Sequence, residues 1–512
     1  MVAGDISSET ELLVIGGGPG GYVAAIRAAQ LDVDVTLAEM DAYGGTCLNH
    51  GCIPSKAFVS ATDRAHEAAA AEHMGVYADP AVDMSEMVSW KDKIVSRLTN
   101  GVEMLCKNAG VTLVEGRAQF EDEETARIDR QRDGEGGETI AFDNAVVATG
   151  SRPVELPGFS FDGERILSSK DALALDSLPD SLLVVGAGYI GMELATVFQK
   201  LDCDVTVIEQ LPEALPLYED DVAEIVRERA ADMGVDFAFE HAAEDWEEDG
   251  DGLVVTTESE DGDQRTFEAE KCLVAVGRKP VTDTLALEET DVETDDHGFV
   301  VTDNEARTNV EGIFAIGDVA GEPMLAHKAF REGEVAAEVV AGDSSTLDDQ
   351  VMPAAVFTDP EIGTVGMTQS EADEAGLDPV VGQMPLRASG RALTLDDTDG
   401  FVRVVADEGS GVVLGGQIVG PDASEMVAEI ALVTQVGRHR LTFCLDIVLS
   451  GDLGLYLVDL LGDGFEVVGH AATLVLEVTD IVVEVLELRL LIWVVCGRLL
   501  ELLDVRLQSS QV

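Results

Sequence analysis

The 512-residue sequence predicts an α/β fold containing two doubly wound domains. Three observations carry this. One strand–glycine turn–helix–strand unit occurs twice, over residues 12–39 and again over 182–209. Each copy ends in an acid, and Glu209 lies as far beyond Gly186 as Glu39 lies beyond Gly16. Apolar residues make up 46% of the chain, and a chain of this length holds roughly two to four domains with large cores.

In the first unit, residues 12–15 read as a strand. Gly16, Gly18 and Gly21 follow as G-x-G-x-x-G, then a helical run over 22–30 and a strand over 33–38 that ends at Glu39. Glycines permit the tight turn and let backbone amides approach a pyrophosphate at the helix N-terminus. The terminal acid can accept hydrogen bonds from a ribose. A glycine-rich turn beside a surface acid is the plainer alternative, and the completeness of the unit favours dinucleotide binding, hence a Rossmann-like domain.

The segment GGTCLNHGCIPSK comes next. Cys47 and Cys52 flank a short loop of small and polar residues. A disulfide here requires the two Cα atoms to come within about 6 Å. Such a bond is strained, exposed and easily reduced, which suits a redox couple better than a clamp. For a bare pair at this spacing, two unrelated thiols is the competing reading. A helix is predicted from 47 to about 71, and a helix N-terminus lowers a thiol pKa. Lys56 lies one turn past Cys52. A second amphipathic helix is predicted over 85–108, a strand over 111–115 and an acidic hairpin over 121–138. The strand over 145–150 ends in Ala-Thr-Gly, where Thr149 and Gly150 form a small-residue turn able to sit close to a cofactor.

The second unit, LLVVGAGYIGMELA, supplies Gly186, Gly188 and Gly191, a helix, and a strand over 205–208 ending at Glu209. A carboxylate there fits a free ribose 2′-hydroxyl and repels a 2′-phosphate, and no arginine follows in QLPEALPLYED, so NAD is favoured over NADP. Strands in LVVTTES and CLVAVG, with Gly277 in VGRKP, close this domain. Two dinucleotide sites plus a cysteine pair outline an electron path with one resident and one exchanging cofactor.

Formal charge is −67, from 99 acidic and 32 basic residues. That balance repels nucleic acid and anionic membrane surfaces. The acids are spread through nearly every surface-like segment rather than clustered for a basic partner. A coat suited to high salt, as in an extreme halophile, fits them better. The N-terminus carries no basic region and enters a strand directly, so no secretory signal is expected. Seven cysteines, an odd and scattered set, point to a reducing cytoplasm. No uncharged apolar run reaches the ~18 residues of a membrane span, and no metal ligands are nominated.

The long, idiosyncratic GGTCLNHGCIPSK resembles the redox-active segment of the pyridine nucleotide–disulfide oxidoreductases, in particular the dihydrolipoamide dehydrogenases. The likeness covers about residues 12–430. It implies FAD at the first site and NAD at the second. Cys47 becomes the interchange thiol and Cys52 the thiol against the flavin, with Thr46 beside them. Lys56 pairs with Glu193 near the flavin ring, and Tyr189 covers the nicotinamide face when NAD is absent. GIFAIGDVAG resembles the family's second FAD segment, with Asp318 on the ribityl chain; a turn Asp is the alternative. In GRA and MLAHKA, Ala118 and Ala326 are carried over as FAD contacts, and His327 reads as a packed helix-start residue.

The implied reaction is oxidation of dihydrolipoamide, free or on a lipoyl domain, with NAD as acceptor. The implied assembly is a homodimer, and a 2-oxoacid dehydrogenase complex is a possible larger one. The domains expected are 1–150 and 281–347 for FAD, 151–280 for NAD, and an α+β interface (dimerisation) domain over 348–435. Two alternatives are a relative acting on another disulfide, such as a mercuric or glutathione-type reductase, and a non-catalytic flavoprotein binding component. Glu209 argues against NADPH, and Cys496 alone does not supply a C-terminal cysteine pair.

Beyond about residue 436 the likeness stops. The family pattern places a His-Pro followed by Glu near Ser450, in IVLSGDL, as base and acid from the neighbouring subunit. His439 and His470 do not fit it. The Leu/Val-rich segment over 436–512 has a period ambiguous between strand and helix. Three readings are open: a shifted reading frame, which the abrupt change favours, a divergent functional tail, or an apolar partner surface.

Overall fold

The computed structural model describes residues 6–130, 137–347 and 351–436. The segment over 437–512, and with it the expectations for Ser450, His439, His470 and Cys496, lies outside the described residues.

The first unit opens with β1 (Ile6–Ile15), α1 (Pro19–Gln30) and β2 (Val35–Glu39). Two helices follow, α2 (Gly45–Asn49) and α3 (Cys52–Ala70), then α4 (Met84–Ala109) and β3 (Thr112–Glu115). Then come β4 (Arg117–Phe120), β5 (Thr125–Asp129) and β6 (Glu138–Val147). Parallel pairing orders β3, β2, β1 and β6, and Ile313–Ala315 adds a parallel strand beyond β6. β4 and β5 extend the sheet antiparallel from the first half of β6. Leu12, Leu13 and Val14 are wholly buried, as expected of a central parallel strand covered on both faces.

One expectation needs correction. The predicted helix from 47 to about 71 is two helices, broken at His50 and Gly51. Pro54 explains the break. A helix running through Cys47 would need the Pro54 N–H for the His50 carbonyl, and the ring would clash with that carbonyl. Inside the first turn of a new helix the missing N–H costs nothing.

β7 (Ser151–Pro153), β8 (Ile166–Leu167) and α5 (Ser169–Ala172) lead into the second unit. It continues with β9 (Ser181–Val185), α6 (Tyr189–Gln199), β10 (Asp204–Ile208), α7 (Asp220–Asp232) and β11 (Asp236–Ala238). β12 (Ala242–Asp249), β13 (Gly252–Glu258) and β14 (Gln264–Ala269) form an antiparallel meander. β15 (Lys271–Val274) returns to a parallel sheet of order β11-β10-β9-β15-β8. β16 (Arg278–Pro280) pairs antiparallel with β7, so the outgoing and returning chain crossings form one ribbon.

The chain then adds β17 (Ile313–Ala315) and α8 (Ala326–Val340) to the first sheet. β18 (Ala354–Val356), β19 (Ile362–Gly366), α9 (Gln369–Glu374), β20 (Pro379–Pro385) and α10 (Gly390–Leu395) follow. The last elements are β21 (Phe401–Asp407), β22 (Val413–Val419) and α11 (Ala423–Val436). These five strands make an antiparallel sheet of order β18-β19-β22-β21-β20. One continuous core joins Phe58 of α3, Met84 and Met87 of α4, Val184 and Phe198 of the second unit, and Ile362 and Phe401 of the third sheet. The redox helix is therefore clamped by all three parts. No described helix is long and apolar enough to cross a membrane.

Candidate active site

The two glycine turns are built alike. Gly16 has φ +107° and Gly186 φ +103°, and a Cβ on either would meet the carbonyl oxygen of Ala148 at 2.4 Å or of Ala275 at 2.7 Å. Only glycine tolerates both the dihedral and the contact. Gly21 and Gly191 let each helix cross its own turn, since a Cβ there would lie 1.8 and 2.0 Å from the oxygens of Gly16 and Gly186. Gly18 and Gly188 cap α1 and α6 without side-chain capping bonds. A Cβ on Gly188 would meet nothing within 4 Å, so this side of the turn is open to a ligand.

The terminal acids are held alike as well. Glu39 accepts hydrogen bonds from Gly17 N (2.6 Å) and Asp41 N (2.7 Å). Glu209 accepts from Ala187 N (2.7 Å) and Leu211 N (2.9 Å). Burial raises the Glu39 carboxyl above the usual carboxylate range, with the amides opposing.

The cysteine segment is docked onto the first turn. Gly44 N donates to Gly17 O (2.7 Å). A Cβ on Gly45 would stand 2.6 Å from Gly18 Cα, which is why the motif carries Gly-Gly. Asn49 Nδ2 closes the loop by donating to Tyr43 O (3.2 Å) and Gly45 O (3.0 Å). Cys47 and Cys52 are brought together, both half-buried, on either side of the helix break. Their interaction with each other raises Cys47 and lowers Cys52. The Cys52 thiol falls to about 7, through the neighbouring Cys47 thiol and, against burial, the charge of Lys56. Its place at the start of α3 acts in the same direction.

Lys56 does not form the expected ion pair with Glu193. Its Nζ lies 3.8 Å from the centroid of the Phe357 ring, a cation–π contact. Glu193 is only 7% exposed and accepts from Phe357 N at 2.8 Å. Burial raises its carboxyl, with the charge of Lys56 and the Phe357 amide opposing. Phe357 thus mediates between the two residues, and sequence reasoning missed it.

These groups wall one cavity of about 910 Å³. Gly16, Gly18 and Glu39 lie in its wall, as do Thr46, both cysteines, Lys56 and Glu193. Ala118, Thr149, Gly150, Tyr189, Asp318 and Ala326 complete the set of predicted residues found there. Gly21 lies behind its turn; Gly186, Gly188, Gly191, Glu209 and Gly277 also lie outside this wall. Thr149 Oγ1 donates to Val281 O (2.7 Å). Gly150 (φ +70°) and Gly277 (φ +130°) are left-handed turns where an added Cβ would meet no atom within 4 Å. His327 is exposed on the rim rather than packed, with Nε2 2.6 Å from Pro353 O. Ser424 and Glu425 at the start of α11 also reach the wall.

The model of the pyridine nucleotide-disulphide oxidoreductase family matches residues 10–333, and that of the family's dimerisation domain matches 352–449. The chain belongs to the pyridine nucleotide-disulphide oxidoreductase family. Curated relatives include dihydrolipoyl dehydrogenase 2 of the halophilic archaeon Haloarcula marismortui, 63% identical over 439 residues, or 86% of this chain and 93% of that protein. Another is the dihydrolipoyl dehydrogenase of Halobacterium salinarum, 61% identical over 85% of this chain and 92% of that one. The Geobacillus stearothermophilus dihydrolipoyl dehydrogenase is 45% identical over 89% and 96%. Among solved structures, LpdA from Mycobacterium tuberculosis superposes with a TM-score of 0.79 at 31% identity, covering 85% of this chain and 94% of that one. In this oxidoreductase the residues missed from sequence are those whose role comes from distant neighbours. Phe357 follows β18, and Ser151 and Arg278 come from two separate chain crossings.

Proposed function

We propose that this protein is a flavin-dependent dihydrolipoyl dehydrogenase, oxidising dihydrolipoamide with NAD as acceptor through Cys47 and Cys52. One observation carries the reading: Cys47 and Cys52 share a cavity wall with the Gly16–Gly18 turn and Asp318. The cavity fits a flavin dinucleotide. About 910 Å³ lies at the upper end of the ~300–1,000 Å³ typical of small-molecule sites. Its glycine turn presents the open N-terminus of α1, which suits a pyrophosphate.

Gly16, Gly18, Gly21 and Glu39 would hold the adenosine and pyrophosphate end of FAD. Asp318 would hold its ribityl chain and Lys56 would lie at its ring, with Thr46, Ala118, Thr149, Gly150 and Ala326 as further FAD contacts along the same cavity wall. Gly186, Gly188, Gly191, Glu209 and Gly277 would hold NAD, and Tyr189 would cover the nicotinamide face when NAD is absent. Bound FAD would supply the two-electron passage between the cysteine pair and the nicotinamide.

The chain's own part is thiol–disulfide exchange. A substrate thiolate attacks Cys47 Sγ of the closed pair, the Cys47–Cys52 bond breaks, and Cys52 leaves as a thiolate. The substrate's second thiolate then attacks its own sulfur in the mixed disulfide. Lipoamide is released and Cys47 is left reduced. The substrate loses two electrons and the pair gains them. The lowered pKa of Cys52 makes it the better leaving group, because a more acidic thiol departs faster. Lys56 steadies that thiolate, and the buried Glu193 is anchored by the Phe357 amide. We further place the enzyme in the cytoplasm as a homodimer, supported by the cysteine pattern and the dimerisation domain. The names of its relatives support a dihydrolipoyl substrate; a 2-oxoacid dehydrogenase complex is the proposed source of it.

The test uses the full chain with FAD. Cys47→Ser should abolish dihydrolipoamide-dependent NADH formation and retain NADH-to-dye reduction. Equal loss of both, or retained lipoamide turnover, overturns the assigned roles.

A further inference from the structure

The ribbon joining the two dinucleotide units carries a chain of hydrogen bonds that the reaction does not use directly. β7 and β16 pair with Ser151 opposite Pro280, Arg152 opposite Lys279 and Pro153 opposite Arg278. Ser151 is 7% exposed. Its Oγ accepts from Arg278 Nε at 2.8 Å, and its carbonyl oxygen accepts from Arg278 Nη2 at 2.7 Å. The same Oγ donates to Asp318 Oδ2 at 2.5 Å.

These contacts have a fixed polarity. A guanidinium only donates, and a serine hydroxyl has one proton to give. With Arg278 donating into the hydroxyl oxygen, that proton is committed to Asp318. No other hydrogen bond reaches the Asp318 side chain among the described residues, so Oδ1 is left for a ligand in the cavity. The backbone before Asp318 is also held. Gly317, at φ +74°, donates its N–H to the buried Glu332 Oε2 at 2.6 Å, and Lys328 pairs with Glu332 at 2.9 Å. Arg278 itself stands in the walls of two cavities: the one holding Asp318 and Tyr189, and a second of about 740 Å³ that includes Lys279, Asp295 and His297.

We propose that Ser151 and Arg278 are positioning residues that orient the Asp318 carboxylate toward the flavin ribityl chain. Flavin retention is thereby tied to the ribbon that joins the two dinucleotide units, whose returning strand brings Arg278. The inference rests on the reading of Asp318 as a flavin ligand. It concerns how that ligand is aimed, not whether the cysteines react.

The experiment measures FAD dissociation constants on the full chain stripped of flavin, by quenching of flavin fluorescence, in a double-mutant cycle. A hydrogen bond to a charged group supports about a tenfold effect. Ser151→Ala should therefore weaken FAD by roughly tenfold, and Ser151→Thr, which keeps the hydroxyl, by no more than about threefold. Arg278→Lys should lose about as much as Ser151→Ala. Combining Ser151→Ala with Asp318→Ala should add nothing to Asp318→Ala alone, because there is no carboxylate left to orient. General destabilisation would instead persist in the Asp318→Ala background and lower the thermal midpoint of the flavin-free protein. Wild-type affinity in Ser151→Ala, or full additivity with Asp318→Ala, overturns the positioning role and leaves the flavin reading intact. Failure of the unmodified chain to bind FAD overturns both.

Discussion

Cys52 is the acidic member of the thiol pair because three influences converge on one sulfur. The neighbouring Cys47 thiol interacts with it, Lys56 lies nearby, and it begins α3. Removing the largest influence should have the largest effect. In Cys47→Ala the Cys52 thiol should rise from about 7 toward its ordinary 9, and Lys56→Met should raise it by less. The sign follows from the direction of the shift. A lowered thiol is ionised above about 7 and protonates as pH falls through that value, so the pH range over which it carries charge narrows in both variants. Thiolate ultraviolet absorbance followed against pH, with Cys52→Ser as the blank, reports it. At this scale the sequence is a good guide to chemistry and a poor one to partners. The motif around Cys47 and Cys52 is legible because its residues are contiguous. The family likeness pairs Lys56 with Glu193, yet Lys56 sits on Phe357, whose contribution depends on a strand about three hundred residues away in sequence being folded against α3.

The two glycine turns show which part of a local motif is structural and which is for binding. Gly191 and Gly188 both belong to G-x-G-x-x-G and have different neighbours. Gly191→Ala puts a methyl 2.0 Å from the Gly186 oxygen and should destabilise the second unit by about 2–4 kcal/mol. Gly188→Ala meets nothing within 4 Å and should leave stability within about 0.5 kcal/mol, while NAD binding weakens because the methyl occupies the ligand's approach. Thermal unfolding and nucleotide titration of the two variants separate these effects; similar behaviour in both would contradict the division. Element existence is legible here because strand, turn, helix and acid recur in one short window. The helix boundary at Cys52 is not legible from periodicity, because the apolar pattern runs on while Pro54 breaks the backbone hydrogen bonding. β1 begins at Ile6, ahead of the apolar run from Leu12, since its register with β6 extends the strand through polar residues.

At the scale of the molecule, the described parts are joined by a few cations set among many acids. Lys200 bonds Asp63 of α3 at 2.8 Å and Asp359 at 2.6 Å. Arg229 of α7 reaches Asp359, Asp397 and Asp399 at 3.2, 2.7 and 2.9 Å. Arg403 of β21 holds Glu219 at 2.7 Å and also Asp221, over the Phe401 ring. These contacts latch the second unit to the redox helix and to the third sheet. Arg229→Met strands the largely buried carboxylates of Asp359 and Asp397 and should lower the thermal midpoint by roughly 5 °C. A change near zero would show the latch to be dispensable. The coat of 99 acids predicts a salt requirement. Screening shortens from about 10 Å at 0.1 M to about 3 Å at 1 M, so the melting temperature should climb over that range of KCl, and a flat profile would contradict it. The sequence makes this charge balance plain but does not say which cations bridge domains, since pairs such as Arg229 and Asp397 are far apart in the chain. The claim on which the account turns is that electrons from the pyridine nucleotide reach the Cys47–Cys52 pair. Oxidised full chain carrying FAD should be treated anaerobically with one equivalent of NADH, alkylated and mapped by peptide mass. The account predicts that Cys47 and Cys52 both become labelled only after NADH, while Cys106, Cys203 and Cys272, free and buried, do not change. Labelling of that pair that does not depend on NADH would contradict it.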